Sequence, residues 1–265
     1  MDVLKFTLSG RTAFFKKPDV NSYYYFTYGN IHKVALLGIL GAIMGFEGYN
    51  QKAMGETYKE VYEECNTKIE TGPYPEFYEK LRNIKVAIVP ENEKGYIEKK
   101  IQVFNNSVGY ASHEKGGNLI VKEQWLENPK WSIYLLVQGK IEEEIANRLS
   151  SFSFKYLPYL GKNDHVANID NVEIIRTVER VENVDKIHSL YIEDYFQLNV
   201  CEEDNIFDSV DDYESIWKYE ELLPVALEEN TNKYEFERFI FTNSSLSTKK
   251  EALVYNCDGK FIFFF

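Results

Sequence analysis

The chain has 265 residues, of which 44% are hydrophobic, and a formal net charge of −12 at pH 7. That composition is ample for a packed globular core, and the charge argues against a freestanding nucleic-acid binder. Cys65, Cys201 and Cys257 are odd in number and far apart, which fits neither a disulfide framework nor a zinc site, and His32, His113, His165 and His188 show no HxxxH or HxH spacing. No metal or other cofactor is expected.

The charge is uneven. Residues 1–45 hold five basic side chains against two acidic ones, a net of +3, whereas residues 179–237 hold 18 acids against four bases, a net of −14. One end suits a polyanion and the other repels it.

The opening MDVLKFTLSG alternates like a strand with one buried face and does not read as a secretory leader. The sequence RTAFFKKPDVNSYYYFTYGN follows, too long for an ordinary connection and too aromatic for disorder. Arg11, Lys16 and Lys17 stand among Phe14, Phe15, Tyr23, Tyr24, Tyr25, Phe26 and Tyr28; cations for phosphates beside rings for bases suit single-stranded RNA. About half of those rings are expected to plug the edge of the core instead.

Residues 31–46, IHKVALLGILGAIMGF, predict a helix apolar around most of its circumference and therefore buried. It is shorter than the roughly 20 residues that span a bilayer, so a cytoplasmic protein with no membrane partner is expected. Gly38, Gly41 and Gly45 fall on one face, where another backbone can come close. Asn30 is the expected N-cap. His32 and Lys33 then sit where the helix dipole prefers acids, an arrangement suited to a bound phosphate or simply to a solvated first turn.

Residues 51–68 are polar with helical character, and IKVAIVP (84–90) predicts a strand. YIEKKIQVF and NLIVKEQWL, around a polar centre, predict a protruding hairpin over residues 96–126. WSIYLLV predicts another strand and IEEEIANRLSSF an amphipathic helix. FKYLPYL reads as a fourth core strand leading into the turn Gly161, Lys162, Asn163, Asp164, His165. There glycine admits a close ligand, and Lys162, Asn163 and His165 offer phosphate or base contacts.

The order strand, helix, strand, hairpin, strand, helix, strand is the βαββαβ plan of a ferredoxin-like or RRM-like fold, an α+β class. It predicts a domain over residues 1–169 and a smaller β-rich lobe over 170–265, with an acidic loop (CEEDNIFDSVDDYE) and a closing NCDGKF hairpin turn. In such a fold the long loop and the 161–165 turn would line one groove. GxxxxGK[ST], GxGxxG, GxSxG and HExxH are all absent, and acidic runs on an acidic surface usually only solvate.

FFKKPDVNSYYYFTYGNIHKVALLGILGAIMG followed much later by YLPYLGKNDHVANI closely resembles the CRISPR-associated family-five protein of type I-B systems. That protein is the RAMP-superfamily Cascade subunit capping the 5′ handle of the guide RNA. The resemblance implies an RRM-like domain with a thumb hairpin at residues 96–126 and a C-terminal β lobe. Its implied partners are the crRNA 5′ handle, the Cascade backbone subunit and the Cascade large subunit. Handle binding then falls on Arg11, Lys16, Lys17, Tyr28, Asn30, His32, Lys33, Gly161, Lys162, Asn163 and His165, with no catalytic residues. The acidic C-terminal region is expected to face protein or solvent. The alternative is metal-independent cleavage of repeat RNA, as in the type I-C branch with its tyrosine, lysine and histidine; Tyr28, His32, Lys33 and His165 would be the groups available.

Overall fold

The protein is described from a computed structural model covering residues 1–19, 23–49, 73–105, 107, 109–199 and 215–265. The expected polar helical stretch at 51–68 and the acidic loop at 201–214 lie outside the described residues. The chain forms β1 (Asp2–Ser9), β2 (Thr12–Ala13), β3 (Tyr24–Tyr25), α1 (Lys33–Met44), α2 (Glu76–Leu81), β4 (Val86–Pro90), β5 (Lys99–Asn105), β6 (Ile120–Glu127), β7 (Lys130–Val137), α3 (Lys140–Ser150) and β8 (Asn168–Ile175). There follow β9 (Glu179–Arg180), β10 (Tyr191–Ile192), β11 (Phe196–Leu198), β12 (Lys218–Leu227), β13 (Tyr234–Thr242), β14 (Leu246–Thr248), β15 (Val254–Cys257) and β16 (Lys260–Phe263). It is a mixed α+β chain, rich in sheet.

The central sheet has the order β4-β7-β1-β8, every neighbouring pair antiparallel. Leu4, Phe6 and Leu8 of β1 share a core with Leu36 of α1 and Ile145 of α3. Val3, on the opposite face, packs with Tyr255, Ile262 and Phe264 of the β15–β16 hairpin. The strand is therefore buried on both faces, where alternation suggested one, because the last hairpin of the chain covers the second. Asp258 and Gly259, both with positive φ (51° and 80°), close that hairpin, as the Asp-Gly pair predicts.

Helix α1 forms because burial favours it: Leu36, Leu37, Leu40 and Ile43 have no exposed surface, and each such side chain contributes about 1.5–3 kcal/mol on leaving water. Of its glycines, Gly41 lies against α2, where an added Cβ would sit 2.5 Å from Phe77 Cβ, while Gly38 has 4.0 Å of room. Gly45 takes the left-handed conformation that ends the helix.

The fourth core strand is β8, after the turn and not before it. Residues 154–160 carry only an isolated bridge, Tyr159 to Val166, since Pro158 lacks an N–H and the large side chains of Tyr156, Leu157 and Tyr159 face solvent. β8 also crosses the expected domain boundary at 169/170. One apolar cluster takes residues from Leu4 to Phe263, and a second joins Val3, Ala87 and Tyr134 to Tyr255, Ile262 and Phe264, so residues on both sides of 169/170 pack together.

Candidate nucleic-acid interface

The long loop is ordered by the hairpin. β5 and β6 pair antiparallel, and β6 then takes β2 antiparallel on its flank and β3 in parallel register. Within the loop Lys17 N–H donates to Phe26 C=O (2.8 Å) and Tyr28 N–H to Phe15 C=O (2.9 Å), so the loop folds back on itself. This divides its aromatic residues. Phe14, Phe15 and Tyr28 are buried, while Tyr23 is 87% exposed and Tyr24, Tyr25 and Phe26 lie at the surface. The Lys16 ammonium stands 4.3 Å over the Tyr25 ring, and Tyr24 and Phe26 pack at 4.7 Å. Arg11 is exposed.

The 161–165 turn is stitched to the same loop. Phe14 N–H donates to Leu160 C=O (3.0 Å), and Gly161, at φ 93°, leaves no space for a Cβ against the Phe14 carbonyl. Any side chain at 161 would meet both the backbone clash and the left-handed conformation. Lys162 reaches both oxygens of Glu123 on β6 (3.0 Å each), and the Trp125 indole N–H donates to the same carboxylate (2.8 Å). His165 is buried, its Nδ1 2.7 Å from the Thr12 hydroxyl and its ring edge-on to Trp125. Among the described residues its Nε2 has no hydrogen-bond partner, and burial, with Lys162 adding, holds its pKa below the usual histidine value. Asn163 is exposed at the tip. Loop, turn and hairpin thus meet in one place.

Below them lies a packed floor. Asn30 has no exposed surface; its amide donates to Gly95 C=O (3.1 Å) and its oxygen accepts from the Trp131 indole N–H (2.8 Å). The N-cap is His32, not Asn30: its Nδ1 accepts from Ala35 N–H (3.2 Å). The His32 ring packs against Phe15, Tyr28 and Tyr234, and burial pushes its pKa down to about 3, so it is neutral. Lys33 points elsewhere, donating to the Phe265 carbonyl oxygen (3.0 Å), and burial, then Lys85, lowers its pKa to about 8. The Tyr28 hydroxyl is buried with no hydrogen-bond partner among the described residues, and burial raises its pKa.

A carboxylate does lie beside the start of α1, and it belongs to the chain. Both oxygens of Glu221 accept from Gly29 N–H (3.0 and 2.9 Å), the Tyr219 hydroxyl donates to it (2.7 Å), and Lys17 stands 3.2 Å away. One residue of the acidic C-terminal region therefore faces the loop. Nothing in its local sequence marks Glu221, since its partner is 192 positions away.

No protein-family model matches the sequence, and no curated protein matches it. Solved structures similar to this chain include proteins described as CRISPR proteins. A chain of a CRISPR RNA-guided surveillance complex is 11% identical over 93% of this chain and 91% of its own, with a TM-score of 0.47. A CRISPR protein from Archaeoglobus fulgidus is 11% identical over 99% of both chains, with a TM-score of 0.48. A Cas protein is 10% identical over 93% of this chain and 95% of its own, with a TM-score of 0.41. Among the described residues no helix is long and apolar enough to cross a membrane, and no group of three or more side chains is placed to hold a metal ion.

Proposed function

We propose that this chain is a non-catalytic RNA-binding subunit of a type I CRISPR surveillance complex. In this reading it seats the 5′ handle of the guide RNA where the 11–28 loop, the 160–165 turn and the hairpin meet, and contacts a backbone and a large subunit. The four-stranded sheet is read as a ferredoxin-like core: its order β4-β7-β1-β8, with α1 after the first strand and α3 after the third, is the order such a core has. The β5–β6 hairpin is then the thumb. The observation that carries the reading is the join of Phe14 to Leu160 and Gly161, which unites two distant blocks under a rim of Arg11, Lys16 and exposed rings.

The burial of the floor supports the non-catalytic part. Metal-independent cleavage needs a base and an acid facing one phosphate. His32 Nδ1 is used as a helix cap, the Lys33 ammonium is directed to Phe265, and His165 is enclosed by Thr12 and Trp125. Photo-crosslinking of the purified chain to CRISPR repeat RNA tests the reading. Crosslinks are expected at residues 23–26, with weak, salt-sensitive binding and intact RNA in EDTA. Crosslinks confined to residues 215–265 would overturn the site, and specific cleavage would overturn the non-catalytic assignment.

A further inference from the structure

A different feature lies on the far side of the hairpin, where β6 separates it from the loop. Among the described residues four strands of five or more residues pair with a single neighbouring strand: β4, β5, β8 and β12. A bare strand edge is a template for pairing, and folds normally blunt it with proline, bulges, charge or cover. Three of the four are blunted. β4 is covered by Leu190, whose N–H donates to Ile88 C=O (2.8 Å), and by Phe265, whose N–H donates to Val86 C=O (3.0 Å). β8 gains an extra residue against β1 between Lys5 and Thr7, with Asn171 at φ 50°. β12 carries Pro224 and a register shift between Pro224 and Ala226.

β5 lacks these devices over most of its length. It pairs with β6 through seven consecutive residues, Lys99–Asn105, with no register shift, no proline and no glycine. Its lysines stand at the first two positions, Lys100 paired with Glu127 (2.9 Å), which leaves the run IQVFN uncharged. Glu127 N–H donates to Glu98 C=O (2.8 Å), so by antiparallel alternation the N–H and C=O groups of Ile101 and Val103 point away from β6. The side chains of Ile101 and Val103 are 60% and 51% exposed, and they share a face with the exposed Ile120 and Lys122 of β6.

We propose that the β5 edge receives an extended segment of another protein as an added strand, its side chains on the Ile101–Val103 face apolar with an acid for Lys122. A phosphate only accepts hydrogen bonds and would leave the outward carbonyls unmet, whereas a peptide backbone meets both groups. A second copy of this chain is a poorer match: its own β5, KKIQVFN, contains no acid, and each copy has a net charge of −12. The proposal does not rest on the crRNA reading.

Selection of a random peptide library displayed on phage against the immobilised full chain, then calorimetry and hydrogen exchange with the enriched peptide, tests the proposal. Enriched sequences are expected to alternate apolar residues and to include an acid, and the synthetic peptide to protect the Ile101 and Val103 amides of a monomeric chain. N-methylation of alternate amides in the peptide should weaken it about tenfold or more, and so should Val103→Pro, which removes an outward N–H without touching the β6 ladder. Lys122→Glu should weaken the peptide and leave Tm unchanged, so the test stands even where Val103→Pro does not fold. Arg11→Glu with Lys16→Glu should leave peptide binding unchanged, separating this edge from the loop. No enriched peptide, enriched peptides without alternation, protection confined to other strands, equal affinity in Lys122→Glu or in a folded Val103→Pro, peptide binding lost in the loop variant, or a dimer in solution that protects β5 would each overturn it.

Discussion

The two ends of the loop leading into α1 contain similar residue types and do opposite things. At the near end Arg11 and Lys16 are exposed beside surface rings. At the far end Tyr28, Asn30 and His32 are sealed into the core, each at 3% exposure or less. Polar and aromatic side chains in a loop therefore divide by what covers them. The rim lies at the surface, where a ligand can reach it, while the floor holds the backbone in the shape that presents the rim.

The largest expected effect breaks the floor. Asn30→Ala leaves the Trp131 indole N–H and the Gly95 carbonyl buried without partners, at about 1–3 kcal/mol for each group. Urea denaturation should register a loss of several kcal/mol. Unchanged stability with impaired RNA binding would move Asn30 to the rim.

A smaller effect separates packed from open positions on α1. Gly41→Ala drives a methyl into Phe77 and should cost about 1–3 kcal/mol, whereas Gly38→Ala has room and should gain up to about 1 kcal/mol of helix propensity. Equal Tm shifts in the two variants would show that the α1–α2 contact is looser than it stands.

His32 links the floor to pH. Its folded pKa of about 3 lies below the ordinary 6.5, so between those values the unfolded chain binds the proton and the folded chain does not. Stability is complete above pH 6.5 and falls as pH drops toward 3. His165 and His188, also lowered mainly by burial, act in the same direction, so the comparison must be with a variant. His32→Asn keeps a capping acceptor and removes the titration; its denaturation midpoint should fall less steeply from pH 6.5 to 4 than that of the wild type. Parallel curves would mean the ring takes up its proton in the folded state.

Much of this fold is legible locally. The apolar run IKVAIVP, the paired runs about a polar centre, the apolar circumference of α1 and the Asp-Gly turn each specify their own element. What was not legible depends on distant partners. Residues 154–160 look strand-like but carry Pro158 and turn Tyr156, Leu157 and Tyr159 to solvent, and β8 pairs with β1 instead. Glu221 lies in an acidic run that reads as solvated, yet its acceptors face Gly29. His32 replaces Asn30 as the cap because Trp131, a hundred residues on, has already engaged the Asn30 oxygen.

The last prediction concerns the rim, where the smallest effect on stability should accompany a clear effect on binding. Reversing Lys17 would set a new carboxylate against Glu221 at 3.2 Å and confuse folding with binding, so Arg11→Glu with Lys16→Glu is the cleaner change. Both side chains are exposed, and losing the Lys16 contact with the Tyr25 ring should cost no more than about 1 kcal/mol. If the rim holds phosphates, affinity for repeat RNA should fall at every sequence tested, and the slope of log affinity against log salt should lessen by about one for each phosphate contact removed. Lys17→Gln should lower affinity less, because Glu221 already shares that charge. An unchanged salt slope in the double variant would leave the floor intact and place the RNA on another face.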